Sequence, residues 1–432
     1  METFELKPGN ISEEERENIK SIFEKTYEVV NRDEAGAWDW THKLRDEFEE
    51  SHEEFFEKIE IKTIEQAQKK GYMVIRKVLE GLDGVIDLSK IEAAHGVGHF
   101  ARDYIHSMIL AAKSGMDPRQ AYVGVVAGSL HDILGCALVE RYAEKGRAVR
   151  HAEAGALLFS EISKIIDVDP DEAKLISYVI AAHTRYSEPG KVECSDGVER
   201  EIRPYDETDK EGKPIMSIVL ARWADRFDVN GSCFVGRHFL TLAKEHFDYA
   251  SDTGKFYRVG FDAAMRPLLR DKEEIAIDPL EKTMREHLQT YADSQSNDSP
   301  YGKFDYGKMA EMRDAYKERL LTIINSFDSP IKLSSEEEKS LLDKWTRWLS
   351  KNIEPSESGF VAAGKLREMF SSLPRETKEA WFSAMETTIK EYDEWSQEML
   401  KTMSEFPEEM MDIPLVGNIR DIVRLSGSQD KD

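Results

Sequence analysis

Between residues 12 and 82 a Glu- and Lys-rich background carries aliphatic and aromatic side chains at helical intervals. Ile64, Ala67, Tyr72, Ile75 and Val78 recur every three or four positions, the spacing of one helix face turned to a core. Gly81 to Gly84 marks a break. From His95 to about Phe247 the texture changes to apolar segments separated by short polar links. The spacing predicts one helix over residues 99–114, stopped at Gly115. Pro118 suits the first turn of the next helix, through Ala121 to Leu134. His151 opens another, through Ala154, Leu157, Leu158 and Ile162. Asp169-Pro170-Asp171 restarts a helix at Glu172 that runs to Ala182, and residues 216–230 form a further helix containing Asp225. After about residue 250, the stretches 303–330, 334–352 and 360–402 are amphipathic and acidic.

This pattern predicts an all-α fold in three parts: a helical N-terminal extension (1–88), a central region (89–250) and a helical C-terminal region (251–432). The exception to helical patterning is the Gly-, Pro- and charge-rich segment from Ser187 to Pro214. There Val192 and the run Val198 to Ile202 allow a short hairpin near 190–203. A long loop inside a compact domain is usually functional or mobile, so a lid and a plain surface excursion both stay open. Ser294 to Gly302 reads as a connector.

Composition narrows the class. The chain has 432 residues, 40% hydrophobic and 33% charged, and a formal net charge of -25. A broad nucleic-acid or anionic-membrane surface needs clustered Lys and Arg, which this balance disfavours. A small, locally basic pocket for one phosphorylated substrate remains compatible. Three cysteines, Cys136, Cys194 and Cys233, form no CxxC and no even framework, which points to a reducing, cytoplasmic compartment. No signal-peptide pattern and no stretch of about 18 consecutive apolar residues is expected to direct the chain into a membrane.

Histidine placement adds chemistry. Of 11 histidines, those at 95, 99, 106, 131, 151 and 183 lie in the central part of the chain. Imidazole together with carboxylate suits divalent transition metals. His95 and His99 are one turn apart, and His99, Arg102 and His106 can share a helix face. His131 and Asp132 are adjacent and diverge by about 100° on a helix. The two oxygens of Asp132 therefore leave it free to bridge two ions, with His151 and His183 as ligands to the second.

His99-Phe100-Ala101-Arg102, the segment Ala127 to Gly135 containing His131-Asp132, Arg150-His151-Ala152-Glu153-Ala154-Gly155, Ala181-Ala182-His183 and Ala221-Arg222-Trp223-Ala224-Asp225 follow one another in order. Together they resemble the motifs of the HD-domain phosphohydrolase superfamily, over roughly residues 90–240. The resemblance implies an all-helical core in which His99, His131, Asp132 and Asp225 hold one divalent ion, and Asp132, His151 and His183 hold a second. The sequence departs from the family in Ile133-Leu134-Gly135, where Ile-Gly often follows the HD pair directly. It also has His183-Thr184 where many dinuclear members carry two histidines. These departures bear on substrate class more than on metal binding.

The resemblance implies a metal-dependent phosphohydrolase acting on a nucleotide or related phosphate ester, with one or two ions drawn from Fe, Mn, Mg, Zn, Co or Ni. Attack on phosphorus needs cationic support for the remaining oxygens. Asp132 is the expected catalytic centre, and Arg102, Arg185 and Arg226 are the expected supports, with Arg222 and Arg237 nearby. A di-iron oxygenase of the same type, acting on a small alcohol or phosphonate, would use the same six ligands. A non-enzymatic signalling or scaffold protein with a vestigial site is the third expectation, and a homodimer through the flanking helices is left open.

Overall fold

The computed structural model describes residues 11–88, 91, 95–138, 151–183, 190–202, 205–230 apart from 207, 232–237 apart from 234, 240, 308–326, 329–372 and 375–424. The described residues form an all-α protein in which two short antiparallel ribbons are the only paired strands.

The N-terminal stretch folds into three helices, α1 (Glu13–Arg32), α2 (Glu34–Lys58) and α3 (Ile64–Leu82). Each starts where a small polar side chain accepts the free amides of a first turn. Ser12 and Glu15 form a reciprocal capping box, Asp33 caps α2 and Thr63 caps α3. The central helices are α4 (Val97–Lys113), α5 (Pro118–Leu138), α6 (His151–Ser163), α7 (Pro170–Ala182) and α8 (Met216–Asn230). Gly115 ends the α4 segment with φ +67°, a conformation that favours glycine. Asp169 caps α7 by accepting from the amides of Asp171 and Glu172, and Pro170 takes the first helical position, where no amide is needed.

Helix α5 is the centre of the molecule. It is apolar on every side, and α3, α4, α6, α7 and α8 all pack against it. By length and composition α5 could cross a membrane, but most of it is buried inside the protein. Burying one Val or Leu side chain contributes about 1.5–3 kcal/mol. Val123, Val125, Val126, Leu130, Leu134 and Leu138 are all fully buried, so together they offset the several kcal/mol that each desolvated ionic group costs. A dry helix can therefore carry His131 and Asp132 in mid-core.

The expected hairpin is present: β1 (Gly190–Glu193) pairs with β2 (Glu199–Ile202) in antiparallel register. Its turn is fastened to α2, where the Ser195 hydroxyl donates to Asp39. Downstream, Tyr205 is buried under the guanidinium of Arg45 and donates to Glu153 at 3.0 Å. These described parts of the loop are thus tied to α2 and α6.

The C-terminal region contributes α9 (Lys308–Ser326), α10 (Ser335–Trp348), a π-helical turn (Leu349–Ile353), α11 (Glu357–Ser372), α12 (Arg375–Met403), a 3₁₀ turn (Glu408–Met411), a two-residue ribbon and α13 (Ile419–Val423). The stretch 360–402, continuous in its amphipathic pattern, falls in two helices, α11 ending at Ser372 and α12 starting at Arg375. The region packs directly on α4. His106 of α4 meets the Tyr316 hydroxyl of α9 at 2.7 Å, and Trp395 of α12 donates to that same hydroxyl at 2.6 Å. Burial holds His106 down at about 4, so it is a neutral core residue rather than a ligand. The connector 294–302 lies outside the described residues.

Candidate metal centre

Five helices bring their polar exceptions to one point. Helix α4 supplies His99 and Asp103, α5 supplies His131 and Asp132, α6 begins with His151, α7 ends at His183, and α8 carries Asp225 and Asp228. The close approach of α6 to α5 depends on Gly135, where a Cβ would overlap the carbonyl oxygen of His151.

The carboxylate of Asp132 lies between two sets of imidazoles. Its Oδ2 is 3.0 Å from His99 Nε2, 3.5 Å from His131 Nε2 and 3.8 Å from His95 Nε2. Its Oδ1 is 3.1 Å from His151 Nε2 and 3.4 Å from His183 Nε2. On the first side, Asp103 Oδ2 is 2.9 Å from His99 Nε2 and 3.6 Å from His131 Nε2, and Asp225 Oδ1 is 3.7 Å from His99 Nε2. Donor atoms of His99, Asp103, His131 and Asp225 form one group that could hold a metal ion, and those of His131, Asp132 and His183 form another.

The far side of three rings fixes which nitrogen faces inward. A carboxylate or carbonyl oxygen can only accept, so the nitrogen bound to it carries the proton. His99 Nδ1 donates to Asp228 Oδ2 at 2.7 Å, His131 Nδ1 to the Gly128 carbonyl at 2.8 Å, and His183 Nδ1 to the Ile180 carbonyl at 2.6 Å. Each leaves Nε2 pointing at the centre, the arrangement that orients an imidazole for a metal.

The donor set fits a cation. His131 Nε2 and Asp103 Oδ1 are buried without a hydrogen-bond partner, and Asp103 Oδ2 and Asp132 Oδ1 meet only imidazole nitrogens. Buried polar atoms left without a partner cost free energy that a bound ion recovers. The same demand appears as proton affinity. Burial opposes charging His131, yet the carboxylates of Asp132 and Asp103 push it up to about 9. Burial and Arg237 oppose charging His99, but Asp103 and Asp132 hold it well above its ordinary value. Burial lowers His183 to about 4, with His131 adding to the effect, so it stands ready as a neutral ligand. Burial raises Asp103 to about 6 against the pull of His99 and His131. The opposite holds for Asp225: burial works against its charge, but Arg226, His131 and His99 keep it below the usual carboxylate range.

All six sequence-predicted ligands, His99, His131, Asp132, His151, His183 and Asp225, are brought together, although the closest donor groupings include Asp103 and leave out His151. Two acidic residues outside the predicted ligand set also meet here. Asp103 lies one turn after His99, and Asp228 lies three residues after Asp225, spacings that put each pair on one helix face.

Of the expected supporting arginines, Arg102 is placed in a different role. Arg102 is 1% exposed, and its Nε and NH2 donate to Asp228, while NH1 donates to the Asn352 and Ile353 carbonyls at 2.9 and 3.0 Å. With its fork committed in this way, it braces the centre and cannot also clamp a substrate. Arg237 likewise donates to Asp228 at 3.0 Å, and Arg222 donates to the Ala182 carbonyl at 2.7 Å. Arg226, beside Asp225, is partly exposed. Arg185 lies outside the described residues.

Side-chain exposure locates the approach to the centre. It is 1% at His99, Asp103 and His131, 8% at Asp132, 18% at Asp225 and 16% at His95. Solvent therefore reaches the site over Asp225 and His95. No protein-family profile, curated protein or solved structure matches the chain. The buried histidine–aspartate grouping is compatible with a metal site of the HD type.

Proposed function

We propose that this chain is a metal-dependent phosphohydrolase acting on a nucleotide or related small phosphate ester, with Asp132 between two positions that would each hold a divalent ion. The observation that carries the proposal is the division of the Asp132 carboxylate, one oxygen facing His99 and His131 and the other facing His151 and His183. His99, Asp103, His131, Asp132 and Asp225 would hold one ion, and Asp132, His151 and His183 the other. Divalent ions bound there supply Lewis-acid polarisation of a phosphoryl oxygen and lower the pKa of water toward neutrality.

The remaining roles fall to the rim. Asp225 is the most exposed carboxylate of the centre and can accept a proton from an entering water. His95 stands on the same side and can return a proton to a departing oxygen. Arg226, next to Asp225, offers a guanidinium to the outer phosphoryl oxygens. Bound cations also offset the carboxylates of Asp103, Asp132, Asp225 and Asp228, so a phosphate is attracted locally despite the acidic surface.

The oxygen-dependent alternative stays open for one reason: the commitment of Arg102, Arg222 and Arg237 to internal contacts thins the anion-binding set. Metal analysis with a panel of nucleotides and phosphodiesters, under anaerobic manganese loading and under aerobic iron loading, separates the two. Anaerobic hydrolysis that disappears in Asp132→Ala together with bound metal supports the proposal. Oxygen consumption by the iron form without hydrolysis favours the oxygenase. Full metal occupancy with neither activity favours a binding or scaffold role, and unchanged metal content in Asp132→Ala sinks the bridging assignment.

A further inference from the structure

Helix α4 carries His99 in its first turn, yet its N-cap is Gly96, which offers no side-chain acceptor. The free amides of a helix start need one. Here the acceptor comes from far along the chain: the amide of Gly98 donates to Glu354 Oε2 at 3.2 Å. Glu354 is 1% exposed and follows the π-helical turn Leu349–Ile353. The free carbonyls at the end of that turn face the converse problem, and Arg102 of α4 donates to those of Asn352 and Ile353. The two elements thus cap one another, acid to amides in one direction and guanidinium to carbonyls in the other.

The sequence makes room for this contact. At Gly98 a Cβ would overlap the Ile353 carbonyl oxygen, and at Gly236 it would come within 2.7 Å of the Ile353 side chain and 2.8 Å of the Trp348 ring. Trp348, Leu349 and Ile353 are fully buried there.

The same guanidinium that takes the carbonyls of 352 and 353 also grips Asp228 through Nε and NH2, and Asp228 in turn holds His99 Nδ1. A shift of the π-helical turn therefore moves Arg102, frees Asp228 and loosens the imidazole whose Nε2 faces Asp132 and Asp103.

We infer that the segment Asn352–Glu354 is a positioning element of the metal centre, setting the orientation of His99 through Arg102 and Asp228. It rests on the metal-centre reading above, and adds that the C-terminal region contributes to metal affinity without supplying a ligand. Groups holding metal-bound histidines typically change metal affinity by about 10–100-fold when lost.

The test uses the full chain and Co2+ alone, followed by calorimetry and by the visible absorption of the bound ion. Gly236→Ala pushes on Ile353 and Trp348 at the turn, and Arg102→Lys keeps charge but loses the fork. Both are expected to weaken Co2+ binding about 10–100-fold and to alter the absorption band. Met399→Ala, a buried change in α12, is expected to lower the melting temperature and leave Co2+ affinity at the wild-type value. Folded Gly236→Ala and Arg102→Lys proteins with wild-type affinity and spectrum would overturn the inference while leaving the metal centre intact. A wild-type chain that binds no Co2+ removes both. Should a variant fail to fold, the wild type still decides: Co2+ is expected to slow hydrogen exchange in residues 349–356, and unchanged exchange there alongside slowed exchange in α5 would overturn it.

Discussion

His99 Nδ1 donates to Asp228 Oδ2 at 2.7 Å, and the same aspartate also accepts from Arg102 and Arg237. Three cationic or donor groups thus converge on one carboxylate that is not itself in a candidate ligand group. Burial works against the charge of Asp228, but Arg102, Arg237 and His99 hold its pKa well below the carboxylate range. Asp228→Asn keeps the shape and loses the charge. Its expected effect is a drop in Mn2+ or Co2+ affinity of about 10–100-fold, measured by calorimetry, with helical content unchanged by circular dichroism.

Metal uptake should be strongly pH-dependent. His131 has a folded-state pKa of about 9, above its ordinary value, so the metal-free site holds a proton that a cation must displace. Affinity is expected to rise with pH from 6 to 9, roughly tenfold per unit for each proton released. The metal-free fold should move the opposite way. The stability that His131 gains from its carboxylates is complete below its ordinary pKa and lost as pH rises through about 9. Calorimetry in buffers of different ionisation enthalpy counts the protons, and a flat affinity profile would contradict the assignment.

Asp103→Asn separates the two ion positions. Asp103 faces His99 and His131, whereas His151 and His183 face the opposite oxygen of Asp132. The expected outcome is loss of one ion per chain by elemental analysis, with the second retained. Retention of full stoichiometry would place Asp103 outside the ligand set.

Gly135→Ala forces the new methyl against the His151 carbonyl and drives α6 away from α5. Overpacking of this kind costs about 1–3 kcal/mol, readable as a lower urea midpoint. Because His151 moves with α6, Co2+ affinity should fall in parallel with stability.

Burial raises Glu354 to about 7, although its contacts with Ser356, Gly98 and Arg102 pull it down. A carboxyl raised on folding contributes stability that is present below its unfolded pKa and lost as pH rises through the folded one. Between about pH 4.5 and 7 the wild type should therefore lose on the order of 3 kcal/mol relative to Glu354→Gln, which keeps an acceptor for Gly98. Urea unfolding of both proteins at pH 5 and pH 8 checks this, and parallel pH profiles would refute it.

Much of the fold was legible because the relevant signals are local. Asp169-Pro170, Gly115 and Pro118 mark helix ends through the chemistry of one or two residues, and the observed boundaries fall within a few positions of those marks. The candidate ligands that the structure brings together were legible from histidine spacing and the HD pair. Asp103 could have been found from its one-turn offset to His99. The partners of Arg102 could not, because two of its acceptors are main-chain oxygens that any residue would present, 250 and 251 residues away. Asp228 carries a signal only in its spacing from Asp225; its grip on His99 is a long-range geometric fact.

The 250-residue separation between Arg102 and Asn352 also orders events in time. Synthesis proceeds at about 5–20 residues per second, so the α4 histidine emerges tens of seconds before the turn that caps its helix. From the addition of Asp225 until the turn at 352 follows, the nascent chain carries every candidate ligand and an unfinished helix start. A chain bearing His99 to Asp225 should therefore bind ions loosely and unselectively while it is being made, and acquire its final affinity only as the C-terminal turn docks. Completion of the α4 helix start is thus expected to wait on elongation of the C-terminal region.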